Sequence, residues 1–164
     1  NNPGGYLEVA QDIAGWFLPR GTLVVKEVSK KSEEQKLFSS GNASLKDFPV
    51  VILVNSGSAS ASEILAGALR DHRGIKLVGE TTFGKGTVQQ IETLKDGSSI
   101  KITVANWVLP KGGIIEGKGL TPDYEIKLSD DDIDKDKDPQ FDKAIEILKS
   151  EIKKNNDTLF KLDD

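Results

Sequence analysis

The stretch Val50–Gln90 constrains the fold most. It opens with Val50-Val51-Ile52-Leu53-Val54, a continuous apolar run without polar alternation. That pattern predicts a strand buried on both faces. Small polar residues follow, from Asn55 to Ser60. Then Ile64, Leu65, Ala68 and Leu69 recur at spacings of three and four, which predicts an amphipathic helix. Ser60 with Glu63 three residues on is a capping box, so the helix is expected to begin near Ser60. A turn at Arg73-Gly74 leads into a second apolar segment, Ile75-Lys76-Leu77-Val78. The unit is strand–helix–strand, the connection that joins parallel strands in an α/β protein.

Two groups in this unit can carry chemistry. The first is the serine cluster Ser56, Ser58, Ser60 and Ser62 at the strand-to-helix turn. A hydroxyl there meets free N–H groups and the positive end of the helix dipole, which stabilise an alkoxide or an oxyanion. The second is Lys85, flanked by Gly84 and Gly86. A lysine desolvated against Ser60 would have a lowered pKa and act as a neutral base. The plainer readings are a helix cap for Ser60 and a surface turn for Gly-Lys-Gly. A Walker-type phosphate loop is absent, because Gly86 follows Lys85 where a serine or threonine is required.

Composition removes other chemistries. The 164 residues suit one domain, and a net charge of −4 argues against nucleic acid as a partner. No apolar run is long enough to span a membrane. With no cysteine, thiolate catalysis, disulfides and cysteine-ligated zinc are excluded. His72 is the single histidine. Along one helix it would lie roughly 18 Å from Ser60, at about 1.5 Å per residue, so a Ser-His-Asp triad does not form through that helix. The same distance keeps Asp71 away from Ser60, in a structural role. No metal or cofactor is expected.

The motifs resemble those of the C-terminal processing peptidases, also called tail-specific proteases. The matching segments are Ser58-Ala59-Ser60-Ala61-Ser62-Glu63-Ile64, then Ala66-Gly67-Ala68-Leu69-Arg70-Asp71, then Gly79 through Gln89. The resemblance implies that Ser60 is the nucleophile and that Lys85, 25 residues on, is the general base. Gln89, four residues after the lysine, would assist it. Asn2-Pro3-Gly4-Gly5 resembles the family's N-P-G-G turn, an element also found in Clp-type peptidases. By that likeness Gly4 or Gly5 would join the Ala61 N–H in an oxyanion hole. Gly117-Lys118-Gly119-Leu120-Thr121-Pro122-Asp123 resembles the family's closing loop, and Glu63 and Asp71 would be supporting residues. The implied fold is α/β with a ClpP/crotonase-like core, strand–helix–strand units and a mixed sheet. The implied activity is serine endopeptidase, acting on unfolded or tagged polypeptides presented as an added strand, in an extracytoplasmic compartment.

The chain begins at Asn1-Asn2-Pro3 and contains no methionine. It is expected to be a fragment of a longer protein, lacking the family's PDZ domain and the strand before N-P-G-G, so its sheet should be incomplete at the N-terminus. A bare strand edge invites self-association, and the Gly4-Gly5 turn should be loosely held. The expected organisation is a catalytic core over 1–128, an acidic linker over 129–138, a helix over 139–153 and a disordered tail over 154–164. Within the core, Leu7, Ala10, Ile13, Ala14 and Phe17 read as the apolar face of a helix that ends near Pro19, Thr22 to Val28 as a strand and Ser29 to Leu45 as loop. Lys95-Asp96-Gly97-Ser98 is expected to turn a hairpin whose second strand has Ile100, Ile102 and Val104 on one face. The last helix is expected to bury Phe141, Ala144, Ile145, Leu148 and Ile152. Two rival readings are a non-catalytic peptide-binding module of the same fold and a crotonase-type acyl-CoA enzyme, whose acid/base carboxylates would have to be Glu63 and Glu80.

Overall fold

The computed structural model describes residues 1–29 and 33–159, with side chains through residue 154. In chain order the elements are α1 (Leu7–Phe17), β1 (Leu23–Val28), β2 (Gln35–Phe38), β3 (Val51–Val54), α2 (Ala61–Arg73), β4 (Lys76–Gly79), β5 (Thr87–Thr93), β6 (Ser99–Val108), β7 (Tyr124–Glu125), α3 (Asp130–Asp134) and α4 (Pro139–Leu159).

Parallel and antiparallel pairings are both present, but they are divided between two sheets. Strands β3, β4 and β7 form a parallel sheet with β4 at its centre. Strands β2, β1, β6 and β5 form an antiparallel sheet, in that order. The strand–helix–strand unit is built as expected: α2 connects β3 to its parallel neighbour β4, in register from Val51–Lys76 to Val54–Gly79. Gly74 stops α2 in the left-handed conformation, a cap in which glycine meets no Cβ penalty.

Helix α2 packs on α1, β1 and β4, while α4 packs on β3 and β4. Leu77 and Val78 are therefore both buried, on opposite faces of the central strand. One core cluster joins Leu18 of the loop after α1, Val24 and Val25 of β1, Ile64 and Leu69 of α2, Leu77 of β4, and Leu109 and Ile115 beyond β6. Each fully buried aliphatic side chain of this kind stabilises the fold by about 1.5–3 kcal/mol.

Several expectations need correction. Strand β3 is not buried on both faces: it is an edge strand, and Leu53 is 44% exposed. The segment expected as loop after Ser29 contains β2, whose polar sequence is held by antiparallel pairing with β1. Residues 30–32 of that segment lie outside the described residues. The acidic run contains α3, begun by Ser129, whose N–H and hydroxyl donate to Asp132. Those two hydrogen bonds hold the Asp132 carboxyl below its ordinary pKa. Asp138 caps α4, accepting from the Phe141 N–H at 2.8 Å, with Pro139 at the first helical position. Helix α4 runs on to Leu159, past the expected end at residue 153, and residues 160–164 lie outside the described residues. Its buried seam is Ala144 and Ile147; Phe141 and Ile152 are exposed, because the face on β3 and β4 is rotated from the expected stripe.

Candidate active site

The turn between β3 and α2 sorts the serine cluster. The Ser58 hydroxyl accepts from the Asn55 N–H at 3.1 Å, and Ser58 is buried. The Ser62 hydroxyl lies 2.8 Å from the Asn2 and Ala59 carbonyls and accepts from the Ala59 N–H. Both are used in building the turn. Ser60 differs. Its backbone sits at φ 59°, ψ −121°, a conformation that L-residues avoid and that costs on the order of 1–3 kcal/mol. Such strain at a strand-to-helix turn is how a nucleophilic hydroxyl is lifted clear of its own helix. Ser60 and Glu63 form the expected capping box, but its firm half is Glu63: the Ser60 N–H donates to Glu63 Oε2 at 2.8 Å, and the Ser60 side chain makes no cap hydrogen bond.

Glu63 is the hub of the site. It is fully buried, and its two oxygens accept four hydrogen bonds, from Thr82 Oγ1, the Gly84 N–H, the Ser60 N–H and the Lys85 N–H. A buried carboxylate needs such complete hydrogen bonding to offset its desolvation. The Ser60 and Lys85 nitrogens lie 2.8 and 2.9 Å from the same atom, Oε2, so the two backbones are fastened side by side. The whole segment from Thr82 to Gly86 is locked in this manner. Its successive N–H groups donate to Leu120 O, Ser58 O, Glu63 Oε1, Glu63 Oε2 and Glu116 Oε2. Gly84 has φ +87°, and a Cβ there would meet the Gly119 nitrogen at 2.8 Å, so both the dihedral and the space require glycine. The closing loop thus serves geometry: Gly117 donates to Gly84 O and Leu120 to Thr82 Oγ1.

The Lys85 side chain is exposed, whereas a desolvated base against Ser60 was expected. The backbone is brought to the serine turn, and the amine extends from it into the open.

The N-terminal turn is docked on the serine turn, not loose. Asn2 O accepts from the Ala59 N–H at 2.9 Å and from the Ser62 hydroxyl. Gly4, at φ +99°, comes so close that a Cβ would meet Ser60 Cβ at 2.8 Å. Its N–H is committed to Asn2 Oδ1 at 3.0 Å. That leaves Gly5 as the glycine with a free N–H beside the turn, and Ala61, first residue of α2, with another. Between α1 and α2 lies a mostly apolar cavity of about 230 Å³, lined by Gly5 and Ala61 together with Tyr6, Val9, Ile13 and Leu65.

Other candidates stand apart. Gln89 is exposed on β5, opposite Thr103, and makes no hydrogen bond to Lys85. Asp71 Oδ2 accepts from the Lys111 N–H at 2.9 Å, fixing the turn after β6 to the end of α2, a structural role. His72 Nε2 lies 2.6 Å from Leu23 O and so donates to β1. The acyl-CoA reading loses its main carboxylate, because Glu63 has no oxygen free to exchange a proton with a ligand. Sequence reasoning missed Thr82, Asn2 and Glu116 as supports; the only signal was their place inside or beside the recognised motifs. Among the described residues no cluster suits a metal ion, and no helix is long and apolar enough to cross a membrane.

Comparison with known proteins identifies the family of the chain. A "Probable CtpA-like serine protease" of Staphylococcus epidermidis is 47% identical over 127 residues, which is 77% of this chain and 26% of that protein. The "Carboxyl-terminal-processing protease" of Synechocystis sp. is 42% identical over 151 residues, covering 90% of this chain and 35% of that one. The solved photosystem II D1 C-terminal processing protease superposes with a TM-score of 0.71 at 37% identity, over 77% of this chain and 32% of its own. The chain therefore spans about a quarter to a third of the length of these relatives. The pattern of Peptidase family S41 matches residues 1–126, and the chain belongs to that family.

Proposed function

We propose that this segment carries the active site of a serine endopeptidase that cleaves unfolded or tagged polypeptides by a Ser-Lys dyad. The observation that carries the reading is the single oxygen, Glu63 Oε2, that accepts from the backbones of both Ser60 and Lys85. Ser60 Oγ attacks the scissile carbonyl while Lys85 Nζ, as the neutral amine, takes the hydroxyl proton. The carbonyl oxygen becomes an oxyanion and receives the Ala61 N–H and the Gly5 N–H; one such donor is worth about 3 kcal/mol of barrier. The C–N bond then breaks, the amine leaves with the proton from Lys85, and water releases the acyl group from Ser60 by the reverse sequence. A substrate lying across the site would cover the exposed Lys85 and strip water from it, and Gln89 would hold the lysine in that closed arrangement. The cavity between α1 and α2 suits an apolar substrate side chain.

At the natural length of such a protein we expect a PDZ domain for substrate tails and an extracytoplasmic location. The open edge of β3, bordered by an apolar cavity of about 220 Å³ along Phe17, Ile52, Leu53 and Leu65, is the place where another strand, from this chain or a second copy, would pair. The test of the activity is Ser60→Ala in the protein at its natural length. Cleavage of casein should be lost with the fold retained, since the Ser60 side chain makes no cap hydrogen bond and the alanine variant keeps the N–H that donates to Glu63. Full cleavage by the variant would remove Ser60 from the mechanism.

A further inference from the structure

We infer that Phe83 is a substrate-contacting residue that favours an apolar side chain just after the scissile bond; this rests on the Ser60–Lys85 reading above. Phe83 is 67% exposed, a large aromatic surface left in water. Its backbone, however, is among the most constrained in the molecule. The Phe83 N–H donates to Ser58 O at 2.9 Å, two residues from the nucleophile, and its neighbours Thr82 and Gly84 are both tied to Glu63. Exposure alternates along this loop. Thr82, Gly84 and Gly86 are buried, whereas Phe83 and Lys85 are open. The two open side chains therefore leave the same fixed ribbon on its exposed side, and that ribbon is bonded to the serine turn. A rigid aromatic at a fixed position binds with little loss of conformational freedom, since only its own rotamer is ordered on contact.

The chemistry assigns the side of the substrate. The base that takes the serine proton must return it to the departing amine, so Lys85 serves the leaving half of the substrate. The free N–H groups of Gly5 and Ala61 serve the carbonyl half. Phe83 accompanies Lys85, and so would lie against one of the first two residues after the cut. Leucine, valine or phenylalanine there would cover the ring; aspartate or lysine would not. The apolar cavity at Tyr6 and Val9 lies on the carbonyl side and is a separate surface.

The experiment is a peptide series cleaved by the protein at its natural length. Each position from two before to two after the scissile bond is varied in turn between leucine and aspartate. The wild type should prefer leucine at one of the two following positions. Phe83→Ala should lower that ratio of kcat/KM by about tenfold, chiefly through KM, with the ratios before the bond unchanged, and Phe83→Leu should restore most of it. An unchanged ratio in the alanine variant, or equal losses at every position, would overturn the assignment. Loss of cleavage in Ser60→Ala together with an unchanged ratio in Phe83→Ala would reject this inference alone; cleavage by Ser60→Ala would reject the reading beneath it.

Discussion

The segment Thr82–Gly86 and the β5–β6 hairpin that follows it are adjacent in the chain and opposite in construction. In the first, every N–H from Thr82 to Gly86 is bonded to a distant part of the chain: the serine turn, α2, or the closing loop. In the second, bonding is mostly local, and only the end of β6, from Asn106 to Val108, also pairs with β1. Strands β5 and β6 pair with each other, the turn closes through Leu94 N–H to Ser98 O, and Asp96 accepts from the Ser98 N–H. Ile91, Ile100, Ile102 and Val104 remain exposed. Tertiary hydrogen bonding is thus concentrated where the Ser60 and Lys85 backbones meet on Glu63. The outer part of the hairpin, by contrast, is held by its own two strands.

This contrast can be broken at graded cost. The largest effect is expected from Glu63→Ala. It leaves the Thr82 hydroxyl and the Ser60, Gly84 and Lys85 N–H groups without their acceptor, and each buried unsatisfied group costs about 1–3 kcal/mol. Urea unfolding should show a loss of at least about 3 kcal/mol, a large part of the 5–15 kcal/mol typical of a domain. A loss below about 1 kcal/mol would mean that the hub is replaceable.

A smaller effect is expected from Gly84→Ala. The added Cβ meets the Gly119 nitrogen and forces an L-residue to φ +87°, so on the order of 2 kcal/mol should be lost in the same measurement. Neutral behaviour would show that the loop can relax around it.

The smallest effect is expected in the hairpin. Ile100→Thr and Ile102→Thr replace exposed residues by another good strand former, and each should change stability by no more than about 0.5 kcal/mol. A loss of 2 kcal/mol or more would show that this face is covered in solution and would erase the contrast.

The sequence made the local devices readable. The capping box at Ser60 and Glu63, the turn at Arg73-Gly74 and the Asp-Gly turn are each specified within a few residues, and each is where the pattern predicts it. What depends on distant partners was not readable from pattern. Gln35–Phe38 has no strand signature and is a strand because β1 pairs with it. The apolar run of β3 predicts a strand covered on both faces, yet that cover comes from packed elements the run does not specify, and Leu53 is left exposed. The alternation in β6 gives two faces without saying whether either is covered. At the site, the spacing of Ser60 and Lys85 suggested a pair only through resemblance. Their physical connection is a carboxylate 22 residues before the lysine, and a capping box alone gives Glu63 one bond, not four.

The proposed dyad requires Lys85 to act as a proton acceptor and not as a fixed charge. The direct measurement is peptide cleavage by Lys85→Arg in the protein at its natural length, beside Lys85→Ala and with folding checked by circular dichroism. Arginine preserves the positive charge but does not deprotonate in accessible conditions. The account predicts that the arginine variant is folded and as inactive as the alanine variant. An arginine variant that cleaves at a rate near wild type would contradict it.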